Sequence, residues 1–366
     1  MQMIDLESRV KVLLGENRQL QEAKIRAEEL LHNATYQKEE GFEARDRAEI
    51  ERLQHELDAA KEQNRAFQRQ ILAPKPGDSF LTVRDEDYFE SACQQLCFSV
   101  QQWVLRFSKM SDTRPCRLTA EIQDEKLVDR LDNAILDGSD VDVLLADRVK
   151  RRDVFMSIVT TMIWEYVFTR FLFGMDREQR QKLKSLEKTL RETAPAHAVA
   201  QWRAITLTFL AKRGAFQEQC DQDTKALVHA IYFNLSTLLP PPSAHAAQLQ
   251  ESLRYMLQQA ISLSIEMRTQ RAEYTMLPPL QPEYDANGDL VKKVLFNASL
   301  MNERSGETGS NEKLEQEGAV VRIVLFPLVV KQGDDYGEGM EQIVVCPAQV
   351  LAAKPNRFSP KIEIYT

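Results

Sequence analysis

Cys93 and Cys97 stand four residues apart, the spacing that lets two thiolates on one helix face share a metal ion. A structural zinc site needs four ligands, and no second Cys/His pair at ligand spacing accompanies them; His229 and His245 are isolated. The plainer reading is a pair of core thiols. Asp137-Gly138-Ser139-Asp140-Val141-Asp142 and Asp285-Ala286-Asn287-Gly288-Asp289 have the acidic look of calcium loops. Both lack the glycine at the sixth position and the glutamate at the twelfth. A capped helix break and a hairpin turn account for them more cheaply. Ser305-Gly306-Glu307-Thr308-Gly309-Ser310 has the composition of a phosphate loop but neither its lysine nor a following apolar helix. No dinucleotide fingerprint, nucleophile elbow or His-Glu-x-x-His occurs. No catalytic, cofactor-binding or metal-binding residue is expected, and the chain is read as not an enzyme. An enzyme assembled from scattered residues stays open as an alternative.

Charge segregation is the feature with most chemical content. Residues 148–191 carry eleven Lys/Arg against five Asp/Glu, while residues 278–341 carry twelve acids against six bases. Arg148, Lys150, Arg151, Arg152, Lys182 and Lys184 are the candidate patch for an anionic partner, a lipid surface or a nucleic acid. The same segregation would also arise if the basic and acidic parts dock on each other, or if these are solvated helix faces. Aromatic residues are not interleaved with the bases, as a stacking surface for nucleic acid would need. The net charge of −8 argues against a chain-wide nucleic-acid coat.

The elements that would position such residues are mostly helical. At 366 residues the chain has room for about two or three domains. Gly (13) and Pro (14) are scarce, which disfavours all-β repeats and low complexity. Residues 1–73 hold 27 charged residues and no proline, so they bury little core and suit an exposed helix. Leu6, Val10, Leu13, Asn17, Leu20, Lys24, Ala27, Leu31 and Ala34 alternate spacings of four and three, a heptad with Val10, Asn17, Lys24 and Leu31 at a. Ile50, Leu53, Leu57, Ala60, Asn64, Phe67 and Ile71 repeat the rhythm in a different phase, with a break near Tyr36–Asp46. Asn17 and Asn64 at a favour two strands in register, so a parallel homodimeric coiled coil is expected. A single solvated helix is the competing reading.

Ala73-Pro74-Lys75-Pro76-Gly77-Asp78 ends that helix. Phe89, Cys93, Leu96, Val100, Trp103 and Phe107 then predict an amphipathic helix ending near Lys109. Further helices are expected over Ile122–Leu136, from Asp140 through the apolar run to Gly174, Asp176–Glu192, Ala198–Arg213, Gln222–Leu239 and Ala246–Met276. Val154–Phe173 has the length of a membrane span, but Glu165 at its centre would cost about 2.5–3.5 kcal/mol there, and a core helix is expected. After the proline-rich connector Leu277–Pro282, strands are expected at Val291–Leu300, Val320–Phe326 and Gln342–Leu351, with Asn302–Gly318 a mobile loop.

Arg130–Asp140, Phe173–Arg180, Glu266–Tyr274 and Val344–Ala348 resemble stretches in an uncharacterised group of coiled-coil proteins from filamentous fungi. The resemblance covers roughly residues 85–353. The group has no assigned activity, so the resemblance implies an intracellular eukaryotic protein and transfers no site residue.

The expected fold is mainly α: a coiled coil over 1–73, a linker over 74–84, a central all-α helical bundle over 85–277 and a small β-rich module over 278–366 docked on the helices. The expected function is a non-enzymatic dimeric scaffold or adaptor, in the cytoplasm or nucleus, with itself and an unidentified protein as partners. No secretory leader and no transmembrane segment are expected.

Overall fold

The computed structural model of the chain describes residues 81–353, apart from 113–114, 286–289 and 305–309, together with a helical stretch at 49, 52–57 and 59. The chain divides into two units, Met1–Gly77 and Asp78–Thr366. In the first unit, Arg52 bonds Glu49 at 2.8 Å one turn earlier, and Leu53 and Leu57 are about half exposed in the single chain. The other expected coiled-coil positions, Leu6, Val10, Leu13, Asn17, Leu20, Leu31, Asn64 and Ile71, lie outside the described residues.

The second unit is mainly helical, with a small set of strands toward its C-terminal end. Helix α1 (Glu86–Ser111) starts where Asp85 accepts a hydrogen bond from the Tyr88 amide at 3.0 Å. Its apolar stripe, Phe89 through Phe107, is buried as the spacing predicts. The expected helix at Ile122–Leu136 is shorter. Asp124 caps it and a 3₁₀ turn at Thr119–Glu121 precedes it, leaving α2 at Glu125–Asn133.

The segment from Asp140 to Gly174 is broken, not continuous. Asp140 caps α3 (Val141–Ala146), and Asp147 then accepts from the Val149 and Lys150 amides and opens α4 (Lys150–Ile163). The helix finishes in a wider turn of π type, Trp164–Phe168. Ten residues of α4 are buried, as befits a helix enclosed on all sides, and Thr160 donates to the Leu325 carbonyl at 3.0 Å. Glu165 is satisfied at the surface by Arg130 at 2.6 Å. No helix among the described residues is long and apolar enough to cross a membrane.

Four helices follow: α5 (Arg177–Thr193), α6 (Ala196–Ala211), α7 (Gly214–Leu238) and α8 (Ser243–Arg268). The expectation of one helix from Ala246 to Met276 needs correction. Helix α8 stops at Arg268, and Glu273–Met276 is a strand, β1. The turn is held by the buried Gln270, whose amide group donates to the Thr82 and Glu266 carbonyls and accepts from the Arg84 amide.

Past the connector come β2 (Glu283–Tyr284), β3 (Leu290–Lys292) and β4 (Met301–Glu303). A short helix α9 (Asn311–Gln316), capped by Ser310, stands inside the expected loop. Then come β5 (Val320–Phe326), β6 (Val329–Gln332), β7 (Gln342–Cys346) and β8 (Ala348–Ala353). The expected strand Gln342–Leu351 is divided at Pro347, which has no amide hydrogen to offer a ladder. Strand β7 joins the antiparallel sheet β1-β6-β7, and β8 sits between β4 and β5 in a second sheet, parallel to the former and antiparallel to the latter. The main core spans α1, α4, α7, α8 and the β5–β7 strands. A smaller cluster gathers Leu136, Phe296, Met301, Leu314, Val321 and Val350 under the second sheet.

Candidate functional site

The six candidate basic residues are divided between the approach to α4 and α5. Arg148 pairs with Asp112 at 3.3 Å, and the buried Arg151 pairs with the same carboxylate. Lys150 is exposed and Arg152 half-buried at the start of α4. Lys182 and Lys184 lie on a different helix, α5, where Lys182 bonds Glu178 at 2.6 Å. Three of the six charges are therefore met by carboxylates of the same chain.

A tighter grouping of bases occurs between the end of the π turn, the start of α5 and α7. The Thr169 amide closes the π turn on the Trp164 carbonyl at 3.1 Å, and the chain then runs through Arg170 to Gly174. Gly174 has φ +85°, and a Cβ placed there would lie 2.9 Å from the Cβ of Cys220 on α7. Glycine thus supplies both the left-handed turn and the close approach. Asp176 caps α5 by accepting from the Gln179 amide at 2.9 Å.

The result is a cleft of about 480 Å³ where Arg170, Arg177 and Arg180 meet, floored by Leu172, Phe173 and Met175. None of the three arginine side chains has a hydrogen bond or ion pair with a described residue. The carboxylates lining the cleft, Asp176 and Asp223, are engaged by α5's own amide and by the Gln219 side chain at 2.8 Å. Burial, and next the charge of Arg170, hold the Arg180 guanidinium below its ordinary value, against the opposing pull of Asp223 and Asp176. Sequence inspection places Arg177 and Arg180 in a basic stretch but gives no reason to single out Arg170.

An open groove of about 1370 Å³ runs along α1 and α8. Phe98 and Tyr255 stand in it 50% and 67% exposed, flanked by Gln95, Gln102, Gln248 and Gln259. Trp103, beneath, donates to the Leu249 carbonyl at 3.0 Å and locks the two helices together. Helical periodicity marks the buried face of α1 but carries no signal for the aromatic residue left on the other face.

The thiols have a third member that sequence spacing could not supply. Cys93 of α1 hydrogen-bonds Cys346 of β7, and Cys97 lies close enough to feel both. That hydrogen bond, and next burial, push the Cys93 thiol well up; burial pushes Cys97 up to about 11 even though Arg304 donates to its sulfur at 3.1 Å. Protonated thiols are poor nucleophiles and poor ligands. No group of three or more His, Cys, Asp or Glu among the described residues is placed to hold a metal ion. The calcium-like stretch Asp137–Asp142 spends its carboxylates locally: Asp137 holds the Ser139 amide and Arg322, Asp140 caps α3 and Asp142 accepts from the Thr119 amide, while residues 286–289 of the other stretch lie outside the described residues.

No family model matches the chain, and no solved structure matches it. Over 353 residues, 96% of this chain, it is 62% identical to the Aspergillus fumigatus protein named Leashin. The chain spans about 6% of the length of that relative.

Proposed function

We propose that the chain is a non-enzymatic scaffold or adaptor segment, dimeric through its N-terminal heptads, whose helical body presents a protein-binding surface. The observation that carries this reading is the α1/α8 groove. It exposes two aromatic side chains amid glutamines, where a globular surface ordinarily keeps large aromatics singly or covered. Arg106 and Lys109 near the end of α1 and Glu251 on α8 give its rim both signs of charge, which suits an amphipathic helix from a partner. Similarity to a small part of a far longer fungal protein fits a modular role. The place of action on this reading is intracellular, in cytoplasm or nucleus.

A photo-crosslinking amino acid at position 98 tests the groove, with the same residue at the exposed position 225 as control. A discrete adduct formed in native cells from position 98 alone is expected; equal labelling from both positions counts against the groove. Light scattering tests the arm: a full-length dimer and a monomeric chain starting at Gly77 are expected. A monomeric full-length chain would refute the dimeric part.

A second reading is favoured by Lys150 and Lys184, exposed and without ion-pair partners among the described residues. It takes the basic stretch as a docking face for an anionic membrane or nucleic acid. Salt-dependent binding to vesicles or oligonucleotides, lost on neutralising these two lysines, separates it from the first.

A further inference from the structure

We propose that the cleft formed by Arg170, Arg177 and Arg180 receives a phosphorylated side chain of a partner polypeptide. The starting point is an imbalance: three guanidinium groups line one recess with two carboxylates, Asp176 and Asp223, whose hydrogen bonds go to the Gln179 amide and the Gln219 side chain, and none of the three arginines has an ion pair among the described residues. Asp176 and Asp223 offset part of the like-charge repulsion at Arg180 without pairing with it, so three positive charges against two negative ones leave a recess that an anion would complete. The lowering of Arg180, by burial first and then by the charge of Arg170, reports the same crowding from the electrostatic side.

The chemistry of the donors selects the anion. A guanidinium presents a planar fork of N–H donors that matches phosphate and carboxylate oxygens. A carboxylate has two oxygens to offer three forks, whereas a phosphate monoester has three free oxygens and about −1.5 to −2 charge at neutral pH. The shape selects the carrier. Arg180 is half-buried and the floor of Leu172, Phe173 and Met175 is buried, so the ligand must enter a recess. A side chain on an extended peptide can do so, with an apolar neighbour over the floor. A head group held in the plane of a bilayer meets Arg177 at the rim first. The aromatic residues lining the cleft are Tyr166, which lies beneath Arg130 at 6.0 Å, and Phe173, which is buried in the floor, so neither is well placed to stack a base. The proposal rests on the adaptor reading in that it takes the ligand to be a polypeptide, but it concerns a different surface from the groove.

Full-length protein is titrated, by fluorescence anisotropy, with peptide pools of random sequence around a fixed phosphoserine, phosphothreonine or phosphotyrosine, and with unphosphorylated pools. At least one phosphorylated pool should bind saturably and its counterpart should not. Arg170→Gln and Arg180→Gln should each weaken that binding about tenfold or more, while Lys225→Gln changes nothing. A melting experiment guards against loss of fold: each Arg→Gln variant without ligand should melt at or above the parent temperature, because crowded like charge has been removed. Equal binding of phosphorylated and plain pools, no saturable binding, or binding confined to phosphatidylcholine vesicles carrying phosphatidylinositol phosphate would overturn the proposal. So would a fall of several degrees in both variants, which would mark the arginines as structural. A groove adduct from position 98 without phosphopeptide binding would leave the adaptor reading standing and remove this one; the reverse pattern would do the opposite.

Discussion

Arg203 Nη1 lies 2.6 Å from Glu273 Oε1, which ties α6 to the first residue of β1. The same guanidinium donates to the backbone carbonyls of Arg271 at 2.7 Å and Gln270 at 3.3 Å, so one buried side chain holds the whole turn between α8 and β1. Replacing Arg203 with Met would leave those carbonyls short of a donor and Glu273 with Arg191 alone. A loss of about 2–3 kcal/mol is expected, set at the lower end for a buried pair because Glu273 is partly solvated. Denaturant unfolding measures it, and a change below about 0.5 kcal/mol, the usual surface value, would show that the contact is idle.

Glu273 also predicts a pH dependence. Burial pushes its carboxyl up, but the charges of Arg203 and Arg191 overcome that and hold it below the ordinary value of 4.5. A depressed carboxylate stabilises the fold fully above its unfolded value and loses that contribution as pH falls through the lower folded value. Stability should therefore decline in the acid range below about 4.5 more steeply in the parent than in Glu273→Gln. Parallel curves for the two proteins across that window would contradict the assignment.

Asp153, in the first turn of α4, behaves with the opposite sign. Burial raises its carboxyl to about 6, with Arg152 only partly offsetting the effect. The folded chain then holds a proton that the unfolded chain releases near 3.8, so stability falls as pH rises between these values. Asp153→Asn should be more stable than the parent at pH 7.5, by up to about 2–3 kcal/mol, with no advantage near pH 4. Melting temperatures at the two pH values decide the matter; an equal shift at both would point away from ionisation as the cause.

Gly174→Ala combines a left-handed backbone with a contact against Cys220 that real side chains do not make. The expected cost is about 2–4 kcal/mol, from strain and forced displacement together. Because Gly174 lies in the turn between Arg170 and Arg180 and lines the same cleft, phosphopeptide binding should weaken even at temperatures where the variant is fully folded. Undiminished binding by folded Gly174→Ala would dissociate the turn from the cleft.

The helical part of the fold is legible where burial is one-sided. The α1 stripe follows its periodicity residue by residue, and Asp140 and Asp176 cap where the sequence places them. Helix α4 is less legible, because a segment buried on all sides has no stripe and the π turn leaves no mark in the spacing. Strand β1 is missed because no proline or glycine separates it from α8, and its identity depends on pairing Glu273 with Gln332 far along the chain. The same limit hides both clusters of chemical interest. Cys346 reaches Cys93 only through the pairing of β7 with β6 and its packing on α1, and Arg170 comes to line one cleft with Arg180 across the turn that contains Gly174.

The division of the terminal strands at Pro347 bears on the order of folding. Neither three-stranded sheet can be completed until its part of the run Gln342–Ala353 has left the ribosome, since β7 belongs to one and β8 lies in the middle of the other. Helix α1, made long before them, waits for β7 to cover Cys93 and its neighbours. Contacts of such long sequence separation form slowly, because the loop-closure entropy precedes the reward. During synthesis α4 and α8 can cover much of the α1 stripe, but the part around Cys93 stays uncovered until β7 is made, and a chaperone able to hold amphipathic helices is the class of helper its biogenesis calls for.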